Sequence, residues 1–123
     1  MIKLIYSSLI LSMLIVTNSA SSELLRQSIS RGSPGQVYVQ FQPDKFEEGW
    51  MFLRVSAWEK SGIPIARTNG LTIYAPESQK VLLDGLTIDH YQDLTGGGFL
   101  ISTPIGAEKS TCGSGFKLKK TNS

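Results

Sequence analysis

The chemistry open to this chain begins at Ser110-Thr111-Cys112-Gly113-Ser114-Gly115, where the only cysteine stands among hydroxyls and glycines. A single cysteine excludes an intramolecular disulfide, so Cys112 is inert if buried, reactive if exposed, or paired with another molecule. The only histidine, His90, follows Asp89 in an alternating segment. Neighbours in a strand point to opposite faces, so these two form no local dyad. Ser61 and Ser114 lie beside glycines, yet neither sits in a Gly-x-Ser-x-Gly elbow, and His90 is the one candidate base. Gly96-Gly97-Gly98 lacks the Lys-Ser/Thr and the following helix of a phosphate cradle and reads as a tight turn. None of these groupings is a catalytic constellation, and the sequence predicts a protein that is not an enzyme.

A small domain has to position these residues. The 123 residues allow one core and no second. Twelve Lys and Arg against ten Asp and Glu give a net charge of +2, which implies no nucleic-acid partner. Residues 117–123 read as a solvated basic tail. Residues 1–21 carry Lys3, an apolar run over 4–16, and small residues at Ser19, Ala20 and Ser21. That is the pattern of a signal peptide cut after Ala20 or Ser21. The run is shorter than the roughly 20 apolar residues of a transmembrane helix, so no membrane span is expected after leader removal. The leader predicts the secretory route, hence an exported or periplasmic protein or a plastid one with a two-part address. An organelle or the cytoplasm follows instead if those residues are foreign to the domain.

Residues 22–36 are polar and end in a Gly-Ser-Pro-Gly turn cluster, which predicts a linker with at most a short helix over 22–29. Residues 37–41 alternate as a half-buried strand, and Pro43 stops them. The most strand-like run is 50–58, with Trp50, Phe52, Arg54, Ser56 and Trp58 on one face. Met51, Leu53, Val55 and Ala57 form the other, which is expected to face the core. Gly62 and Pro64 break the chain. Residues 71–75, 86–91 and 99–103 are further strands, and 76–83 suits a short helix opened by Pro76 and ended by Asp84-Gly85. The pattern is mainly β with a short helix, an α+β class.

The segment from Gly70 to Phe116 resembles the C-terminal half of the A-type, or HesB-like, iron-sulfur carriers. In that family a glycine precedes an alternating strand and a proline-started helix, then Leu-Asp-Gly, Ile-Asp-Tyr, Gly-Gly-Phe, Asn-Pro and Ser-Thr-Cys-Gly-Cys-Gly. This chain has Gly70, residues 71–75, residues 76–81, Leu83-Asp84-Gly85, Ile88-Asp89-His90, Gly97-Gly98-Phe99, Thr103-Pro104, and Ser110 through Gly115 in those places. Leu53-Arg54-Val55 resembles the family's Leu-Arg-Val strand. The resemblance implies a small β-sandwich-type domain over 37–116 whose N-terminal part is atypical, because the family's first helix is not recognisable in 22–49. Of the family's three cysteines, the loop Cys-Ser-Gly is here Lys60-Ser61-Gly62 and the last is Ser114. The hairpin that follows the loop cysteine is expected to be missing between Ile63 and Asn69.

What the resemblance implies is an iron-sulfur cluster assembly or carrier protein. Cys112 is its metal ligand, and Gly113 and Gly115 let the backbone approach an iron-sulfur cluster, [2Fe-2S] rather than [4Fe-4S]. A cluster takes four ligands, normally thiolates, so a homodimer would offer two Cys112 and an outside thiol such as glutathione the rest. Its partners would be apo iron-sulfur proteins. The alternative is an exported small β module that kept the scaffold and lost metal binding.

Overall fold

The computed structural model describes residues 14–58, 61–94, 96–104 and 106–118. Residues 1–13 of the expected leader and 119–123 of the basic tail lie outside them, and Lys117 belongs to a strand.

The apolar run at the N-terminus ends inside the fold. Strand β1 (Ile15–Val16) pairs in parallel with β6 (Thr87–Asp93). The Ile15 and Thr17 N–H groups donate to the carbonyls of Leu86 and Ile88 at 2.8 and 3.0 Å. Helix α1 (Asn18–Ser30) follows at once, capped by the Thr17 hydroxyl, which accepts from the Ala20 N–H at 3.2 Å. Residues 14–30, expected to be leader end and linker, are therefore a strand and a helix. The reason is a stripe that average composition hides. Ala20, Leu24 and Ser28 recur every four residues and are fully buried, while Glu23, Arg26 and Gln27 dress the outer face. Burial of Leu24 alone contributes about 1.5–3 kcal/mol.

The Glu23 carboxylate accepts from Arg26 Nε at 2.9 Å and from Gln27 Nε2 at 2.8 Å. The Arg26 guanidinium, with help from Gln27, holds it at a pKa of about 2. A carboxylate with a depressed folded-state pKa adds stability above its unfolded pKa and loses it as pH falls through the folded one. Glu23→Gln is therefore expected to melt below the parent at pH 6 and to match it near pH 2, as thermal melts across that window will show.

Two sheets carry the rest. The larger has the order β4 (Ile63–Thr68), β5 (Leu71–Ala75), β2 (Gln36–Pro43), β3 (Trp50–Ala57), β9 (Gly115–Leu118), β8 (Ala107–Lys109); the smaller is β1, β6, β7 (Gly96–Ile101). Val37, Val39, Phe41, Ile73, Leu83, Ile88, Ile101 and Phe116 meet in one core with Leu24. Met51, Leu53 and Val55 pack against it as their alternation predicts, while Trp50 and Phe52 stack on the other face with ring centroids 6.4 Å apart. A single 3-10 turn at Glu77–Gln79 leads into α2 (Lys80–Leu83). The Gln79 amide bonds both the N–H and the carbonyl of Phe41, at 2.8 and 2.9 Å, beyond the point where β5 stops pairing with β2. The mainly β class with short helices is what the structure has.

Three local expectations change. Residues 63–68, where Gly62 and Pro64 read as breaks, form a strand hydrogen-bonded to β5, which makes a short hairpin. Its turn is Asn69-Gly70, both in the left-handed region at φ 49° and 77°, as a two-residue hairpin turn requires. Gly96, Gly97 and Gly98 are not a turn but the first residues of β7, paired with Asp93, Gln92 and Tyr91. Strand pairing there overrides their weak strand propensity. Strands β8 and β9 are too short to show periodicity and form because β3 offers an edge to β9.

Candidate functional site

Cys112 sits in the connection between β8 and β9, a tight loop tied at both ends. The Ser110 N–H donates to the Gly115 carbonyl at 3.1 Å, the Gly115 N–H to Ser110 Oγ at 3.2 Å, and the Gly113 N–H to the Ser110 carbonyl at 3.2 Å. Two neighbouring strands hold the loop from outside: the Ile101 N–H of β7 donates to the Gly113 carbonyl at 2.9 Å, and the Leu53 N–H of β3 to the Ser114 carbonyl at 3.0 Å. The cysteine thus stands where the smaller sheet meets the larger. Its backbone is anchored and its thiol is exposed.

The two serines of the motif face the sulfur. Cys112 Sγ lies 3.5 Å from Ser110 Oγ and 3.0 Å from Ser114 Oγ. Hydroxyls that donate to sulfur favour the thiolate, so Ser110 first and Ser114 next hold the Cys112 pKa below the ordinary thiol value, against a smaller opposing effect of partial burial. An accessible sulfur with raised thiolate character is both a nucleophile and a soft metal ligand. Replacing Ser110 with Ala is expected to move the pH midpoint of Cys112 alkylation upward and to slow alkylation at neutral pH, measured with a maleimide or iodoacetamide probe. Ser110 is buried and its hydroxyl also accepts from Gly115, so the same change lowers the melting temperature.

The glycines of the motif have packing roles. Gly113 is at φ 78° against Leu100, where any side chain would be strained and would collide with the Leu100 methyl. Gly115 starts β9 directly over the Met51 carbonyl and the Phe52 ring. Both are buried beneath the loop while the thiol points out. The serine hydroxyls were the part that sequence reasoning missed, since Ser114 reads there as a lost ligand. Their signal is the i−2 and i+2 spacing about a cysteine in a glycine-tight loop.

Other candidate residues lie elsewhere. Lys60 is outside the described residues, and Ser61 and Gly62 precede β4 at one edge of the larger sheet, whereas Cys112 joins the strands at the other. His90 pairs across the strands with Phe99, ring centroids 5.0 Å apart, and lines a groove of about 350 Å³ with Glu23, Arg26 and Gln92 that Cys112 does not line. The Asp89 carboxylate accepts from the Thr17 hydroxyl at 2.7 Å and from the His90 N–H at 2.8 Å, which lower its pKa. Among the described residues no three His, Cys, Asp or Glu side chains gather as a metal site. No helix among them is long and apolar enough to cross a membrane.

No sequence-family model and no curated protein matches this chain. Solved structures do. The crystal structure of IscA with the [2Fe-2S] cluster matches with a TM-score of 0.73 at 25% identity, over 88% of this chain and 100% of that one. Escherichia coli SufA, involved in biosynthesis of iron-sulfur clusters, matches with a TM-score of 0.58 at 15% identity, over 75% of this chain and 86% of that one. A protein from Aquifex aeolicus matches at 0.50 and 16% identity, over 75% and 92%. The IscA match extends well past residues 70–116 and takes in most of the chain. In architecture this chain has the α+β fold of the A-type, HesB-like iron-sulfur carriers.

Proposed function

We propose that this chain takes up iron or an iron-sulfur cluster through Cys112 and delivers it to apo-proteins, as a carrier rather than an enzyme. The observation that carries this reading is the exposed, hydroxyl-supported thiol held by an anchored loop in the fold of IscA and SufA. One chain brings one soft ligand, and its serine hydroxyls are neutral oxygen donors that suit iron-sulfur clusters poorly. A single protomer therefore does not complete a four-ligand set. Two chains side by side supply two Cys112 thiolates, and a [2Fe-2S] cargo then draws its other ligands from glutathione or from the receiving protein. Gly113 and Gly115 contribute by keeping the loop low beneath the thiol, so that a second chain can come close.

The test is anaerobic reconstitution of the full chain with iron, sulfide and glutathione, read by visible absorption, bound iron per chain and oligomeric state. Iron bound at about one [2Fe-2S] per dimer supports the carrier reading. Ser114→Cys puts a second sulfur where an oxygen lies 3.0 Å from the first. It is expected to raise bound iron at least about twofold, because each chain then offers two thiolates instead of one.

A second reading rests on the scarcity of ligands among the described residues. The chain would then be an exported small β binding module on the same scaffold, with metal binding lost. Absence of bound iron in both parent and Ser114→Cys would favour it.

A further inference from the structure

Two of the three small residues that make 19–21 look like a peptidase site, Ala20 and Ser21, have a different reason to be small. Ala20 and Ser21 are 0% and 2% exposed in the first turn of α1, so a larger side chain at either would have to displace its neighbours. From this we infer that residues 14–21 stay on the functional chain and that any removal of the N-terminal apolar run takes place upstream of Leu14.

A cut after Ala20 would remove buried and hydrogen-bonded parts of the domain. Leu14 is 5% exposed and belongs to the core. Strand β1 covers one side of β6, and without it the Leu86 and Ile88 carbonyls lose the Ile15 and Thr17 donors and β6 becomes a bare edge. Thr17 does two things at once: it caps α1 and donates to Asp89. Both go. A peptidase acting before folding would not be stopped by burial, but its product would lack a strand, a cap and a core leucine of the domain.

The loss would also reach Cys112. The smaller sheet runs β1 to β6 to β7, with Val16 beside Ile88 and Ile88 beside Ile101, and the Ile101 N–H is the donor that holds the Gly113 carbonyl. The segment resembling the tail of a leader is thus the outer strand of the sheet on which the cysteine loop hangs. This holds whether or not Cys112 carries iron.

The direct test is the N-terminus of the protein isolated from the cells that make it, by intact mass and N-terminal sequencing. A first residue at or before Leu14 is expected; Ser21 or Ser22 overturns the inference. The second test compares the full chain with its Thr17→Val variant and with a chain beginning at Ser21. Failure of the shortened chain to fold, or a melting temperature lower by about 10 °C or more, is the expected result. Thr17→Val is expected to melt lower by several degrees and to exchange the Ile101 amide faster. Equal melting and equal exchange in all three would show that residues 14–20 are dispensable.

Discussion

Cys112→Ser is expected to leave the chain folded and, on the carrier proposal, to abolish iron uptake. The sulfur is exposed and touches two hydroxyls, so exchange for oxygen disturbs no core packing, and a melting temperature within about 2 °C of the parent is expected. Iron uptake is another matter. Loss of the partners around a ligand already costs roughly 10- to 100-fold in metal affinity, and this change removes the only thiol the chain has. Bound iron is expected to fall at least tenfold, to about the level of an unrelated protein, with the visible absorption lost. Binding needs the thiolate, so the proposed uptake is expected to fall as pH drops through the depressed Cys112 pKa. The fall sets in at lower pH than an ordinary thiol would show. A Cys112→Ser chain that keeps its iron would move the site elsewhere and end the carrier reading.

Phe116→Ala is expected to be the most damaging single change to stability. The ring is fully buried, meets Phe41 edge to face with centroids 4.8 Å apart, and lies on β9 between β3 and β8. Truncating a buried phenylalanine to alanine costs about 3–5 kcal/mol, from lost transfer energy and the cavity left behind. At roughly 4–8 °C per kcal/mol for a domain of this size, the melting temperature is expected to drop by about 15 °C or more. The effect should concentrate where β9 and its loop are held, so the Leu53 and Ile101 amides, which donate to Ser114 and Gly113, are expected to exchange faster. Leu94→Ala is the contrasting variant. That leucine is fully exposed, and its removal is expected to shift melting by less than about 2 °C. A Phe116→Ala chain as stable as the parent would mean that β9 is not part of the cooperative core.

How far the fold was legible depends on how each element declares itself. Residues 50–58 alternate over a full strand, and their aliphatic face is the one that packs inward. Residues 71–75 do the same, buried at Leu71, Ile73 and Ala75. Residues 63–68 hid as a strand because Pro64 and the preceding Gly62 look like breakers. Pro64 is tolerable there because β4 is an edge strand with a register shift just after it. Helix α1 hid for a different reason: its stripe is Ala, Leu and Ser, one weakly apolar and one polar beside the leucine, and its first turn coincides with the small residues of a leader pattern. The candidate site was half legible. The cysteine and its motif are visible in the chain, but the relation of the serines to the sulfur is not, because it depends on how the loop closes.

By itself the sequence determined the β-rich class, the inward face of the long strand, and the resemblance from Gly70 to Phe116 that singles out Cys112. These are carried by local periodicity and by motif spacing, which survive in one dimension. Only the tertiary structure decided that residues 14–30 belong to the domain, that Ser110 and Ser114 turn their hydroxyls onto the thiol, and that β3 and β7 together anchor its loop. A backbone carbonyl, a hydroxyl or a small buried residue has no sequence pattern of its own, and its role is set by a partner that only folding brings into contact: far along the chain for β1 and the Ser114 carbonyl, two residues away but across a closed loop for Ser110 and Ser114.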